Sequence, residues 1–361
     1  MNFTLKTTIA SSESLVTFYK DWNVGQNDLI VTNEFLLKGA KAPCDCLYQE
    51  HYGSGEPTDE MVDAMLTGIN GKNYNRIIAI GGGTVLDIAK LFVFEDGYNC
   101  EEIFAKGASL ERKRGFIAIP TTCGTGSEVT CISIVGFEKK GTKLGLAIPA
   151  LFPDEAVLIP SLLDTLPYDV FATSSIDALI HAVESYISPR SNDFVRAMGR
   201  SAIEMILSGY KQMGISGKLP KDMLPFLSAS TMAGIAFGNA GCAAVHALAY
   251  PLGAIYHVPH GKANYLVFGE VFRAYMKKGA DLSVLEDVFK DALGAPDDVW
   301  GELFTLLDRV LVRQPLSELG VDEQKCAEMA ESVDKNQQRL LKNNPIELSV
   351  DEIRQIYVSC L

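Results

Sequence analysis

The sequence has 361 residues, of which 47% are hydrophobic and 21% are charged, and its formal net charge is −13. This length exceeds what one hydrophobic core usually supports, so two globular domains are expected. The acidic balance argues against a nucleic acid or an anionic membrane as partner, because both require a basic surface. An anionic cofactor must therefore be held by backbone amides, a helix N-terminus or one well-placed lysine.

Targeting and membrane segments are not expected. The N-terminal residues lack the apolar run of a signal peptide, and no stretch of about eighteen apolar residues occurs. The eight cysteines are scattered, and only Cys44 and Cys46 are close together. A C-x-C pair could form half of a metal site, but reduced thiols in a cytoplasmic protein are the favoured interpretation.

The first half of the sequence alternates short apolar runs with segments of helical periodicity. Strands are predicted at Asp28–Thr32, Arg76–Ile80 and Gly115–Ile119. Helices are predicted at Glu60–Ile69 and Val85–Phe92. This alternation predicts an α/β domain at residues 1–170, with a parallel sheet covered by helices on both faces.

Beyond about residue 170 the periodicity is helical and few β-branched runs remain. The segments with this pattern include Phe171–Ile187, Asp193–Gln212, Leu224–Phe237, Ala243–Ile255 and Ala263–Lys277. Several prolines between residues 149 and 167 mark a connecting segment. An all-α domain is therefore predicted at residues 171–361.

Two turn-rich segments directly follow predicted strands. Glycines let a backbone approach a ligand closely, and the N-terminus of the helix that follows attracts anions. The first segment is Gly81, Gly82, Gly83 and Thr84; the hydroxyl-bearing residues of the second are Thr121, Thr122, Thr125 and Ser127. Either segment alone could be a tight turn or a helix cap. Two of them after successive strands favour a nucleotide-binding crevice.

A group of residues in the predicted helical domain suits a metal ion. Asp177 and His181 are four residues apart, which places both on one face of a helix, and His246, His257 and His260 follow. Fe²⁺ and Zn²⁺ both accept imidazole and carboxylate ligands together. Spacing alone leaves this interpretation open, because such residues also form hydrogen bonds on helix surfaces, fill cores or cap helices.

Four segments in order resemble the iron-containing (group III) alcohol dehydrogenase family. They are GGGTVLDIAK at 81–90, PTTCGTGSE at 120–128, LPYDVFATSSIDALIHAVESYIS at 166–188 and HALAYPLGAIYHVPHGKAN at 246–264. The resemblance implies an N-terminal α/β dinucleotide-binding domain and a C-terminal all-α metal-binding domain, which is a dehydroquinate synthase-like architecture. It also implies hydride transfer between a nicotinamide cofactor and a small alcohol or aldehyde, aided by a Lewis-acidic metal.

Position by position, the resemblance implies specific site residues. The implied metal ligands are Asp177, His181, His246 and His260, with Fe²⁺ or Zn²⁺ as the metal. The implied cofactor contacts are the two loops, Asp87 and Lys143. A homodimer or a larger homo-oligomer is also implied.

The sequence departs from the family at three positions. Asn33 stands where many members have an aspartate that bonds the ribose 2′-hydroxyl, so NAD is favoured but NADP is less firmly excluded. Tyr250 replaces a histidine that often relays the proton, so Tyr250 or His257 is expected to serve. Glu56 replaces an asparagine near the adenosine side.

The segment around His246 is most similar to the 4-hydroxybutyrate dehydrogenase branch. That similarity implies the interconversion of 4-hydroxybutyrate and succinate semialdehyde. Alternatives are a 1,3-propanediol, glycerol or other primary-alcohol dehydrogenase of the family. A dehydroquinate synthase-like lyase and a non-catalytic binding protein are less favoured. Lys262, just after His260, is a candidate partner for a substrate carboxylate, although a solvated surface lysine is the preferred interpretation.

Overall fold

The computed structural model describes residues 2–213 and 217–361. The chain divides into two compact units. The sheet unit comprises Leu5–Leu166 and Asp222–Leu227. The helical unit comprises Met1–Thr4, Pro167–Lys221 and Ser228–Leu361.

Parallel strands form the centre of the sheet unit. The strands of the described chain are β1 (Thr8–Ser11), β2 (Asp28–Thr32), β3 (Asp45–Tyr48), β4 (Arg76–Gly81), β5 (Gly115–Pro120), β6 (Ile132–Phe137), β7 (Thr142–Ala147) and β8 (Glu155–Leu158). Six of them form a parallel sheet in the order β1-β8-β5-β4-β2-β3, and β6 pairs antiparallel with β7. The predicted strand Asp28–Thr32 is confirmed at both ends, and the predicted parallel sheet is confirmed.

Helices cover both faces of this sheet, as predicted. They are α1 (Leu15–Asp21), α2 (Asp59–Ile69), α3 (Gly83–Leu91) and α4 (Cys100–Lys106). Successive side chains of a strand point to opposite faces. Ile77 and Ala79 accordingly pack in the core that contains α2 and α3, whereas Ile78 and Ile80 pack in the core that contains α1. Burial on both faces explains why the central strands are continuous apolar runs.

The chain from Tyr168 onward is helical. Its helices are α5 (Tyr168–Ile187), α6 (Asp193–Gln212), α7 (Leu224–Ala240), α8 (Ala244–Tyr256), α9 (His260–Lys277), α10 (Ser283–Leu293), α11 (Val299–Val310), α12 (Glu323–Asn336), α13 (Gln338–Leu341) and α14 (Val350–Val358). The prediction for Asp193–Gln212 matches α6 at both ends. The predicted all-α character of this part of the chain is confirmed.

Helix α9 begins three residues earlier than its periodicity predicts. It starts at His260, directly after Pro259. A proline is tolerated at the start of a helix because the first N–H groups have no partner within the helix. Gly261 interrupts the apolar pattern, so the first turn carries little periodic signal. The consequence is that His260 is the first residue of a helix and not part of a loop.

Within the described residues, no single helix is long and apolar enough to cross a membrane. Helices α7 and α8 meet the length and composition criteria only when taken together, and they are bent by 105° at the break between them.

Candidate functional site

Four potential metal ligands converge in the helical unit. Asp177 and His181 lie one turn apart on α5, His246 lies in the first turn of α8, and His260 opens α9. Their donor atoms all lie within 4.8 Å of one another. The predicted set is therefore one spatial cluster assembled from three helices.

The distances in this cluster suit coordination better than hydrogen bonding. Asp177 Oδ1 lies 3.6 Å from His246 Nε2 and 3.8 Å from His260 Nε2, and Asp177 Oδ2 lies 3.9 Å from His181 Nδ1. Ligands at about 2.1 Å from one ion are separated by up to about 4.2 Å. His246 Nε2 is buried without a hydrogen-bond partner, which otherwise costs stability. The described residues thus fit a divalent metal ion.

Burial and stacking fix the rings of the cluster. Asp177, His181 and His246 are buried, whereas the His260 side chain is 39% exposed. The His181 ring stacks between Phe237, at 4.3 Å between ring centroids, and His246, at 4.5 Å. The edge at His260 is therefore the side of the cluster open to solvent.

Glu184 is a functional candidate that the sequence analysis missed. Its buried carboxylate accepts hydrogen bonds from the backbone N–H groups of Ala243 and Val245, at 2.9 and 2.6 Å. It also bonds His246 Nδ1 at 2.6 Å. Since the carboxylate is acceptor-only when ionised, Nδ1 carries the proton, and Nε2 presents its lone pair to the cluster.

The spacing of α5 contains the signal that points to Glu184. Asp177, His181 and Glu184 occupy positions i, i+4 and i+7, which lie on one helix face. Glu184, Cys242 and His246 also form a second group of potential ligands. The oxygens of Glu184 already accept hydrogen bonds from two backbone amides and from His246 Nδ1. This second group is therefore less suited to bind an ion, and its carboxylate instead orients the His246 ring.

Asn264 and Gly261 hold α9 against α5 at the cluster. Asn264 is buried one turn after His260, and its amide donates to Asp177 Oδ1 at 2.7 Å. Gly261 lies so close to the backbone of Thr173 that a Cβ at this position would overlap with the Thr173 carbonyl oxygen. The glycine after His260 therefore permits the close approach of the two helices that carry Asp177 and His260.

The two candidates for proton transfer occupy different surroundings. The Tyr250 ring centroid lies 6.4 Å from that of His260, so Tyr250 borders the cluster. His257 is exposed at the C-terminal end of α8, in the left-handed conformation with φ of 55°. Both assignments stay predictions, and the geometry favours Tyr250.

Lys262, the candidate partner for a substrate carboxylate, is hydrogen-bonded to Gln314.

The glycine loop lies at the carboxyl end of β4, and Gly82 is the N-cap of α3. No side chain in the described chain caps this helix, so its first N–H groups can receive an anion. A Cβ at Gly83 would lie 2.7 Å from Thr125 Cγ2, and one at Gly82 would lie 3.3 Å from Thr122 Cγ2. The two predicted loops therefore pack directly against each other. Thr84 donates to the Gly55 carbonyl at 2.9 Å.

Asp87, on α3, is linked to the second loop by a hydrogen bond. It accepts hydrogen bonds from Ser127 Oγ at 2.6 Å and from the Ile134 N–H at 2.9 Å. The buried Lys90 ammonium donates to Ser127 Oγ at 2.6 Å and lies 3.7 Å from Asp87. Burial raises the pKa of Asp87 and lowers that of Lys90, and each opposes the shift of the other. The contacts of Asp87 and Ser127 are thus mainly with the protein itself.

The remaining predicted cofactor residues also lie in the sheet unit. Lys143, on β7, forms an ion pair with Glu56. Thr121 is buried, and its N–H donates to the Gly81 carbonyl at 3.1 Å. Asn33 directly follows β2, and its amide donates to Gln49 and Glu50.

Two family models match successive parts of the chain. The model described as the C-terminal part of the Fe-containing alcohol dehydrogenase family matches residues 171–361. The model described as iron-containing alcohol dehydrogenase matches residues 10–160.

Curated relatives share this similarity over most of the chain. The 4-hydroxybutyrate dehydrogenase of Clostridium kluyveri is 43% identical over 350 residues, which are 94% of each chain. Long-chain-alcohol dehydrogenase 1 of Geobacillus thermodenitrificans is 33% identical, over 79% of this chain and 74% of that protein.

Solved structures share the fold. An iron-containing alcohol dehydrogenase from Thermococcus thioreducens has a TM-score of 0.80 at 27% identity and covers 99% of both chains. The sulfoacetaldehyde reductase from Bifidobacterium kashiwanohense, solved in complex with NAD⁺, has a TM-score of 0.85 at 22% identity and covers 99% of this chain and 98% of its own.

Proposed function

This chain belongs to the iron-containing alcohol dehydrogenase family and is an oxidoreductase, and from this premise we propose that it interconverts 4-hydroxybutyrate and succinate semialdehyde with NAD(H). The observation that carries the substrate is the 43% identity, across 94% of both chains, to the Clostridium kluyveri enzyme of that name. The ligand cluster and the paired loops described above supply the sites that such a reaction requires.

The proposed metal is Fe²⁺, bound by Asp177, His181, His246 and His260. When bound, the metal acts as a Lewis acid toward the substrate oxygen, and the nicotinamide carries the hydride. One carboxylate with three imidazoles is a ligand set that suits a divalent transition metal.

The chain's own residues prepare this site. Glu184 keeps the proton of His246 on Nδ1, and Asn264 fixes one oxygen of Asp177. Tyr250 is proposed to exchange the hydroxyl proton with solvent, because it borders the partly exposed His260. In the sheet unit, the N-terminus of α3 is proposed to hold the pyrophosphate, and Lys143 is proposed to lie near the cofactor.

A substrate panel tests the proposal. Protein reconstituted anaerobically with Fe²⁺ is assayed for NADH oxidation with succinate semialdehyde, butyraldehyde and 3-hydroxypropionaldehyde. We expect kcat/KM for succinate semialdehyde to exceed the other values by about tenfold or more, because an enzyme whose substrate is this aldehyde should bind its carboxylate, which the other two aldehydes lack. A preference for butyraldehyde would remove the substrate assignment, and an absence of NADH oxidation with any aldehyde would remove the dehydrogenase proposal.

The metal assignment has its own control. His260→Ala removes the most exposed proposed ligand, so turnover should be lost while the circular dichroism spectrum is retained. Metal analysis of the same preparation shows whether the loss of activity accompanies a loss of iron. Full activity with undiminished iron content would contradict the role of His260.

A further inference from the structure

Three neighbouring strands of the sheet unit end at the same edge. Thr32 of β2 is paired with Ile80 of β4 on one side and with Tyr48 of β3 on the other. The residues that follow these strands are therefore side by side: the glycine loop after β4, Asn33 after β2, and Gln49 and Glu50 after β3. In nucleotide-binding parallel sheets, an acidic residue at the end of the strand beside the glycine-loop strand bonds the ribose 2′-hydroxyl.

Asn33 occupies that position, but its amide is engaged by acceptors from the next strand end. Its Nδ2 donates to Glu50 Oε2 at 2.8 Å and to Gln49 Oε1 at 3.1 Å. The other carboxylate oxygen of Glu50 accepts a hydrogen bond from the Glu34 N–H at 2.6 Å. Two donors therefore hold the Glu50 carboxylate beside Asn33, although the residue itself is exposed.

The surroundings of Glu50 leave space and carry charges of both signs. A cavity of about 780 Å³ lies beside this edge and is lined by Glu34, Lys38, Lys41, Asp45 and Glu50 among others. Lys38 and Lys41 line the same pocket as Glu50 and would attract a phosphate, whereas Glu50 would repel it.

We propose that Glu50 is the residue that determines cofactor specificity, because it supplies, from the neighbouring strand end, the negative charge that Asn33 lacks. The inference rests on the nicotinamide cofactor of the proposed function. The carboxylate repels the 2′-phosphate of NADP(H), whereas the uncharged 2′-hydroxyl of NAD(H) meets no such penalty. Glu50 thus makes the chain selective for NAD(H) despite the neutral Asn33.

The test measures binding of NADH and NADPH in the absence of substrate, by fluorescence titration of the metal-loaded protein. Glu50→Gln keeps the shape and one oxygen acceptor but removes the charge. We expect the wild type to prefer NADH, and Glu50→Gln to bind NADPH about 10- to 100-fold more tightly with little change for NADH. Glu50→Asp, which keeps the charge, should retain most of the preference.

Two further measurements distinguish the effect of the Glu50 charge from a structural effect of the substitution. Glu111→Gln removes one exposed carboxylate that is paired with Lys113 elsewhere in the sheet unit, and it should leave both affinities unchanged. The wild-type preference for NADH should decrease as salt is raised from about 0.05 to 1 M, because screening weakens repulsion between exposed charges.

The possible results bear on the inference in different ways. A wild type that binds NADPH as tightly as NADH would overturn it. So would a Glu50→Gln variant that changes both affinities equally, since that result indicates a structural role. If the wild type binds neither nucleotide, the cofactor of the proposed function fails as well. If NADH binding and aldehyde reduction are intact but the Glu50 variants keep the wild-type preference for NADH over NADPH, only this inference fails.

Discussion

At the scale of single residues, the proposed metal site depends on a carboxylate outside the proposed ligand set. Glu184 holds the proton of His246 on Nδ1 and also accepts two backbone N–H groups at the start of α8. One buried side chain therefore sets both the tautomer of a ligand and the position of the helix that carries it. Carboxylates of this kind typically change metal affinity when they are replaced.

We expect Glu184→Gln to weaken Fe²⁺ binding by about 10- to 100-fold. The glutamine amide group would bring donors toward the N–H groups of Ala243 and Val245 and toward Nδ1, so at least one buried donor loses its acceptor. The free energy of unfolding should fall by about 1–3 kcal/mol for the same reason. Metal titration of the chelated protein and denaturant unfolding measure the two effects.

A matched variant serves as the control for Glu184→Gln. Glu204→Gln removes a carboxylate from α6 that pairs with Arg200 and is partly exposed, and it should leave Fe²⁺ affinity unchanged. Activity of Glu184→Gln should recover when excess metal is supplied, because the ligands themselves remain. Unaltered affinity in Glu184→Gln would show that His246 is oriented by other contacts.

At the scale of elements, the cluster requires α5 and α9 to approach closely. Gly261 allows that approach, since its missing side chain leaves room for the Thr173 carbonyl, and a Cβ would also lie 3.1 Å from Asp177 Cβ. His260 and Asp177 are thereby brought to 3.8 Å. Sequence periodicity could not reveal this contact, because a glycine contributes no apolar side chain to the pattern.

We expect Gly261→Ala to separate α9 from α5, and so to lower both the melting temperature and the iron content. Backbone atoms of Thr173 cannot move aside without shifting a helix. Gly269→Ala, in the same helix, is the control: a Cβ there would meet flexible or ring atoms of Arg313 and Phe304 at 3.2 and 3.3 Å. Calorimetry measures the melting temperature and metal analysis the iron content of both variants. Equal decreases in the two variants would contradict a specific role for Gly261.

The elements themselves were largely predictable, and the exceptions have physical causes. The buried parallel strands are continuous apolar runs, so Asp28–Thr32 and its neighbours are evident from composition. The hairpin of β6 and β7 was not predicted, because exposed residues such as Thr142 and Gly145 weaken its alternation. The start of α9 was missed because Pro259 and Gly261 are poor helix formers.

At the scale of the whole molecule, the clustering of the four proposed ligands could be predicted from sequence, but the residues that support them could not. Asp177 and His181 are linked by helical spacing, and the family resemblance added His246 and His260. Asn264 is an ordinary polar residue in the sequence, and only its contact with Asp177 gives it a role. Helical spacing places Glu184 on the face of Asp177 and His181, but its hydrogen bond to His246 is a tertiary contact that spacing does not reveal. The pairing of Asn33 with Glu50 likewise depends on strand order, which a single sequence does not specify.

The buried cluster should also determine how the stability of the metal-free protein depends on pH. Burial opposes the charge on Asp177, yet His181, His260 and His246 hold the pKa of this carboxyl well below its usual range. Burial likewise lowers the pKa of His246, but Cys242, Asp177 and Glu184 outweigh it and raise that pKa well above the ordinary value. In the metal-free protein, the two pKa shifts thus favour an ionised Asp177 beside a protonated His246.

The signs of these shifts fix the expected trend. A raised histidine pKa contributes stability that is fully present below the unfolded value of about 6.5 and is lost as pH rises through the folded value. A lowered carboxyl pKa contributes stability that is present above about 3.9 and is lost only in acid. From about pH 6.5 up to the folded pKa of His246, the histidine contribution therefore falls, and the carboxyl contribution stays constant.

We expect the metal-free protein to lose thermal stability as pH rises through this interval. A divalent metal binds only deprotonated imidazoles, so its stabilisation of the folded state increases over the same interval. The difference in melting temperature between metal-loaded and chelated protein should therefore widen from about pH 6 to 9. His246→Gln should abolish the widening, whereas His51→Gln, at an exposed position in the sheet unit, should preserve it. A difference that stays constant with pH would mean that His246 is not protonated when the metal is absent.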